Sequence, residues 1–297
     1  MSTNGVWLPI PENWNDDNYN GPLPNLLYRY RQLSPENISN RLNFEVLEEG
    51  VFLAGAGELN DPDEGRIQWR IDGTKEAAIE LVANVLAADS AYTDKPTDLI
   101  VKAWEIAESM VANGPVVPKH IVDCMHQIVS KTVRVVCFKD DPLNPPMWAH
   151  YGTYLNGNSM ISNGGLCIEY EVQDSWRGAG LYPVDYRQSR PTINMLFPKQ
   201  LSKQFAQAMR VKNEGWSYER EWRIAAFLQT APPWQDGLEA NSKLQLSGSV
   251  RSVIFGLATP TDILNEAVGM IRAKNSAIRL MRVQRNPIDQ SLVLLTI

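Results

Sequence analysis

The chain is poor in the residues that usually signal a covalent staple, a metal centre or a membrane anchor. It has 3 cysteines and 3 histidines in 297 residues. Cys124, Cys137 and Cys167 are an odd number with no paired spacing. No disulfide framework follows, and reduced thiols in a cytoplasmic setting are expected. His120, Cys124 and His126 lie close in sequence. On a helix, His126 points away from the other two, so no tetrahedral ligand set is completed and no metal is expected. No apolar run approaches the roughly 18 residues of a membrane span. The first residues lack the basic-then-apolar order of a secretory leader. Cations are not in excess either: Lys plus Arg is 28 and Asp plus Glu is 34, a net charge of −6. That argues against a protein that coats nucleic acid by bulk charge, though not against a local basic cleft. The phosphate loops G-x-x-x-x-G-K-[ST] and G-x-G-x-x-G are missing, as is the G-x-S-x-G hydrolase elbow. Internal repeats and low-complexity tracts are missing too.

What is present is ordinary globular material. Apolar residues make up 44% and charged residues 21%, which excludes a disordered, collagen-like or coiled-coil chain. A chain of this length buries roughly 75% of its unfolded surface. Residues 1–25 read as an irregular arm, rich in Asn, Asp, Gly and Pro. Its Trp7, Trp14 and Tyr19 are expected to pack onto the body.

From residue 26 the pattern alternates. Residues 26–31 read as a strand with Arg29 and Arg31 on one face and Tyr28 and Tyr30 on the other. Ser34-Pro35 starts a helical turn, and residues 51–54 form a second strand. Residues 74–131 carry 3.6-residue apolar stripes and read as three helices inserted into the fold. The remainder is strand-rich: residues 133–138, 165–170, 182–186, 222–228, 249–255, 277–283 and 291–296. A helix is expected over 198–212, and another after Thr259 as N-cap and Pro260 at the first helical position. The pattern predicts an α+β fold with mixed small sheets and a helical insertion, residues 26–297 forming a single domain.

Four segments could carry chemistry. In Trp216-Ser217-Tyr218-Glu219-Arg220-Glu221-Trp222-Arg223, a strand would place Glu219, Glu221 and Arg223 on one face. The two carboxylates would then sit about 7 Å apart. A solvated ion-pair ladder is the plain alternative, but the flanking aromatics partly desolvate the carboxylates, as a catalytic carboxylate requires. Met147-Trp148-Ala149-His150-Tyr151 offers a ring nitrogen that could orient a ligand or move a proton, or a core histidine. Asn60-Asp61-Pro62-Asp63-Glu64 is equally a turn signature. Arg29 and Arg31 supply guanidinium forks suited to phosphate, or to surface ion pairs. Gly256, before a helix, could cradle an anion or merely join strand to helix.

Taken in order, these segments resemble the bacterial domain-of-unknown-function family 2971. The resemblance runs from Tyr28-Arg29-Tyr30-Arg31 through Asn60-Asp61-Pro62 with Glu64, Cys137-Phe138, Met147-Trp148-Ala149-His150-Tyr151, Gly165 to Tyr170 and Lys212 with Trp216-Tyr218-Glu219-Glu221-Arg223, to Val253-Ile254-Phe255-Gly256. It covers about 27–297, and Asp63 stands where the family usually has Phe. A more distant resemblance is to ADP-ribosyltransferases, including the DNA-modifying toxin class. It implies an ADP-ribosyltransferase-like core and NAD as co-substrate without metal. The acceptor would be a macromolecule, protein or nucleic acid, in a toxin or phage-defence effector that can have an antitoxin or phage partner. Glu221 would then stabilise the oxocarbenium-like transition state. Glu219 would orient the acceptor. Arg29 and Arg31 would bind the pyrophosphate, and His150, Tyr151, Trp148 and Tyr218 would shape the nicotinamide pocket. Asn60, Asp61 and Arg223 complete the expected binding set. Two alternatives are a nuclease using Asp61, Glu64, Glu219 and Glu221 to hold a divalent metal, and a non-catalytic sensor.

Overall fold

β-Alternation sets the frame of the molecule. The computed structural model describes residues 21–70, 73–87, 96–112, 119–156, 159–178, 180–194, 208–227, 242–246 and 248–297. In chain order the elements are β1 (Leu26–Arg31), α1 (Ile38–Arg41, continued by a wider turn to Leu47), β2 (Gly50–Gly55), β3 (Gln68–Arg70), α2 (Lys75–Ala87), α3 (Pro96–Ala112), α4 (Lys119–Thr132) and β4 (Val133–Lys139). They continue with α5 (Pro145–Tyr151), β5 (Tyr154–Asn156), β6 (Ser159–Ile161), β7 (Leu166–Glu171), α6 (Asp174–Gly178), β8 (Leu181–Pro183), β9 (Asp185–Arg187), β10 (Thr192–Asn194) and β11 (Val211–Asn213). A 3₁₀ turn (Glu214–Glu219), β12 (Glu221–Phe227), β13 (Ser242–Gln245), β14 (Val250–Phe255), α7 (Thr261–Lys274), β15 (Arg279–Arg285) and β16 (Leu292–Thr296) complete the chain.

The fold is α+β, as the pattern predicts. The strands are not divided between two small sheets. Ten of them form one sheet, whose main path is β13-β2-β4-β1-β7-β14-β15-β16, with β12 and β8 beyond β4. Three two-stranded ribbons, β10-β3, β11-β9 and β5-β6, account for the rest among the described residues. Within the large sheet only β14 and β15 run parallel, joined through α7.

β4 organises the site. One edge pairs with β12 along its whole length, Val133 to Lys139 against Phe227 to Glu221. The other edge is shared: β2 takes Arg134 and Val135, and β1 takes Lys139. β1 and β2 therefore part along β4, and a gap opens between them.

Alternation sorts the β4 side chains into two cores. Val136 and Phe138 join Leu27, Ile168, Ile224 and the inner face of α7 (Ile263, Ala267, Ile271). Val133 and Val135 join the core under α2, α3 and α4, with Ala78, Ala103 and Ala107 from the helices. Cys137 and Lys139 continue that second face into the site. No helix among the described residues is long and apolar enough to cross a membrane.

Local expectations fared unevenly. The three inserted helices and the strands on β1, β2, β4, β7, β12 and β14 are present. The strand expected at 182–186 is two short ones, β8 and β9. The helix expected over 198–212 has ended by residue 210, and β11 follows, paired parallel to β9. Its first part, 198–207, lies outside the described residues, as do residues 1–20 of the arm and the side chains of His120 and Cys124. Thr259 does not cap α7. Its hydroxyl donates to the Gly165 carbonyl at 3.1 Å, and Pro260 takes the cap position. Gly256 is not an anion cradle: its N–H donates to the Gly165 carbonyl, and a Cβ there would meet the Asn163 carbonyl oxygen at 2.2 Å. Glycine is required there by close backbone approach.

Candidate functional site

The gap between β1 and β2 is the mouth of a cleft of about 260 Å³. Arg29 and Arg31 line it from β1, Cys137 and Lys139 from β4, Tyr151 from α5, and Glu221 from β12. Asn60 and Glu64 reach it from the loop before β3, and Lys212 from β11.

Strand register puts Glu221 and Lys139 together. They are direct cross-strand partners, and Arg223 opposes Cys137 on the same face. Glu219 reaches the pair differently from the sequence expectation. It ends the 3₁₀ turn rather than preceding Glu221 on a strand, and Arg220 between them is left-handed at φ 47°. That backbone reversal swings the Glu219 carboxylate back beside Glu221.

The outcome is a six-charge network with three anions, Glu64, Glu219 and Glu221, and three cations, Lys139, Lys212 and Arg223. Lys212 Nζ donates to Oε2 of both Glu219 and Glu221, at 2.9 and 3.0 Å, and lies 3.6 Å from Glu64 Oε2. Lys139 Nζ donates to Glu221 Oε2 at 3.0 Å and also pairs with Glu219. Arg223 pairs with Glu221 and with Glu64 Oε1 and donates to the Met209 carbonyl. Tyr151 donates to Glu219 Oε1 at 3.1 Å, and the Glu221 N–H donates to the Tyr186 hydroxyl at 2.9 Å. Nearly every member is buried. A buried charge survives only when paired in this way.

The network pushes its carboxylates in opposite directions. Burial alone would raise Glu221, but Arg223, Lys139 and Lys212 outweigh it and hold the carboxyl well below its usual range. Glu64 is pushed up: burial dominates, Glu221 adds to it, and Arg223 and Lys212 do not fully offset it. Lys212 is raised, because three carboxylates overcome the effect of its burial. Glu221 is therefore a fixed anion, and Glu64 a more basic carboxylate.

At the β1 end the balance differs. Arg29, Arg31 and Arg41 converge on one fully buried carboxylate, Glu45. Arg31 donates to Glu45 Oε1 through Nε at 3.0 Å and Nη2 at 2.6 Å. Arg29 Nη1 lies 3.5 Å from Glu45 Oε2, is buried, and has no hydrogen-bond partner. Burial and the neighbouring guanidiniums bring Arg31 down to about 10, still protonated at neutral pH. The cluster has three cations to one anion, and two of those cations line the cleft.

The other predicted residues divide. Arg29, Arg31, Asn60, Tyr151 and Glu221 share the cleft wall. Arg223 lies behind it, holding Glu221 and Glu64. Glu219 is fully buried and lines none of the three cavities described among these residues. Trp148 is core rather than pocket wall: it is 2% exposed, stacks edge-on against Tyr30, and donates to the Pro142 carbonyl at 2.9 Å. His150 is not a core histidine. It is exposed on α5, stacks on Tyr218, and lies off the cleft wall with it. Asp61 accepts the Asp63 N–H in the expected turn and faces two neighbouring cavities instead of the cleft. The four carboxylates of the metal reading therefore do not meet, and the ammonium groups of Lys139 and Lys212 sit among the three that do.

Sequence reasoning missed Lys139, Glu45 and Tyr186. Lys139 was within reach, because Val135, Cys137 and Lys139 share one strand face. Glu45 sits in an irregular helical turn and carries no local signal. Comparison with protein-family models, curated proteins and solved structures gives no match for this chain.

Proposed function

We propose that the protein cleaves NAD in the manner of an ADP-ribosyltransferase, with Glu221 at the reacting ribose and Arg29 and Arg31 at the pyrophosphate. One observation carries the reading: a single cleft in the gap between β1 and β2 is lined by Arg29, Arg31, Tyr28 and Tyr30 from β1 together with Tyr151 and Glu221. Arg29 Nη1, buried without a hydrogen bond and sharing Glu45 with two other guanidiniums in a cluster of excess positive charge, favours an anionic ligand part. Glu221, held ionised, supplies fixed negative charge where a ribosyl cation would develop. Tyr151 offers an aromatic surface for the leaving pyridine ring.

The distant resemblance to ADP-ribosyltransferases points to the same reading. A macromolecular acceptor and an effector role as a toxin or phage-defence protein belong to this proposal. So does a cytoplasmic setting, with which the free thiols of Cys137 and Cys167 agree.

The test is to incubate the full-length protein with NAD and follow nicotinamide release, with and without a chelator. Wild type is expected to release nicotinamide regardless of chelator. Glu221→Gln is expected to lose about 10²–10³-fold, the usual loss when an electrostatic stabiliser is removed. The absence of both nicotinamide release and an NAD-induced rise in melting temperature in wild type would end the reading.

A further inference from the structure

The cleft has a neighbour. A second cavity of about 270 Å³ lies against the same network, with Asp61, Asp63, Arg190 and Asn213 in its wall. The two spaces share two side chains, Glu64 and Lys212, which form the partition between them. Glu64 is unlike the other carboxylates of the network. Its side chain is only 3% exposed, and Arg223 engages Oε1. Both carboxylate oxygens are buried without a hydrogen bond, and Oε2 is the less tightly paired, its nearest ammonium, that of Lys212, lying 3.6 Å away.

We infer that the second cavity receives the acceptor of the NAD reaction, a polar, hydroxyl-bearing nucleophile, and that Glu64 takes the acceptor's proton. The inference rests on the NAD-cleaving reading. In the step, the bond from ribose C1′ to the nicotinamide ring nitrogen breaks, and its electron pair leaves on that nitrogen. The acceptor oxygen forms the new bond to C1′. Its proton passes to Glu64 Oε2 and then to solvent through the open cavity.

Three features favour this assignment. Glu221 cannot serve as the base, because the cations around it hold its carboxyl too acidic. Glu219 touches neither space. Glu64 faces both, and burial moves it toward the range a base needs at neutral pH. The groups facing it are Arg223 and Glu221 from β12, Lys212 from β11 and Cys137 from β4. The cavity wall is polar: Ser189 and Gln188 lie between Arg187 and Arg190, which pair with Asp185 and Asp63.

The experiment uses full-length protein, NAD, and methanol as the probe acceptor, measuring nicotinamide, ADP-ribose and methyl-ADP-ribose. Glu64→Gln is expected to lower both ribose products about 100-fold, a typical general-base contribution. It should also lose the fall in rate that wild type shows as Glu64 becomes protonated at low pH. Glu64→Asp should restore part of the rate and that pH limb, which a purely structural role would not do. Ser189→Trp, at an exposed position in the second cavity, should suppress product formation while the NAD-induced rise in melting temperature persists. Wild-type rates and pH profile in Glu64→Gln, or wild-type rates in Ser189→Trp, would overturn the inference alone. A wild type that releases no nicotinamide removes both it and the reading beneath it.

Discussion

Two buried charge clusters meet at one cleft, and they are built on opposite terms. Around Glu219 and Glu221, three anions face three cations, and each lysine bridges two or more carboxylates. Around Glu45, three guanidiniums share one carboxylate. The first cluster is electrically closed and has the character of a scaffold that fixes Glu221. The second has positive charge left over, and Arg29 Nη1 faces Glu45 without a hydrogen bond. Burial of uncompensated charge is costly. Excess of one sign beside a cavity therefore points to a ligand of the other sign, whereas a balanced network points to positioning.

The most direct way to break this contrast is Glu45→Gln, which leaves three buried or half-buried guanidiniums without an anion. It should cost about 3–5 kcal/mol, as removal of one partner from a buried pair does, read as a lowered midpoint in urea. The loss should also depend on pH. Burial raises Glu45, but Arg31, Arg29 and Arg41 outweigh it, so its folded pKa is lowered. The stabilisation from an acid with a depressed pKa is complete above its unfolded value and fades as pH falls through the folded one. The gap between wild type and Glu45→Gln should therefore narrow below about pH 4.5.

The balanced network should respond otherwise. Lys139→Met and Glu219→Gln should each destabilise, but the double variant should cost less than their sum by about 0.5–3 kcal/mol. A double-mutant cycle in urea measures that coupling, and simple additivity would mean that the network is not a unit. The smallest effect is expected at Arg220, whose exposed pair with Asp140 lies outside both clusters. Arg220→Gly should change stability by no more than about 1 kcal/mol, because losing a surface pair is offset by relief of the left-handed backbone. A larger loss would place Arg220 within the network.

Much of the fold was legible from periodicity. The strand alternation in 26–31 and 133–138 correctly separated Arg29 and Arg31 from the tyrosines and found β4. The three inserted helices were marked by their apolar stripes. The aromatic segment around His150 was misread for an identifiable reason. Pro145 and Pro146 begin a helix, on which Met147, Trp148 and Tyr151 turn inward while His150 turns out. Neighbours in sequence diverge by about 100° on a helix, so adjacency to Tyr151 did not bring His150 or Trp148 to the cleft.

The sequence by itself determined the α+β class, the positions of the main strands and helices, and the presence of Arg29, Arg31, Tyr151 and Glu221 as candidates. These follow from local spacing, since side-chain direction repeats every 2 residues in a strand and every 3.6 in a helix. Only the tertiary structure decided which charges pair. Lys139 lies 80 residues from Glu219 and meets it through the β4–β12 register and the left-handed turn at Arg220. Glu64 becomes a partition between two cavities only when β11, β12 and its own loop converge. Long-range pairing depends on register and backbone reversal, and neither has a period that a local pattern can reveal.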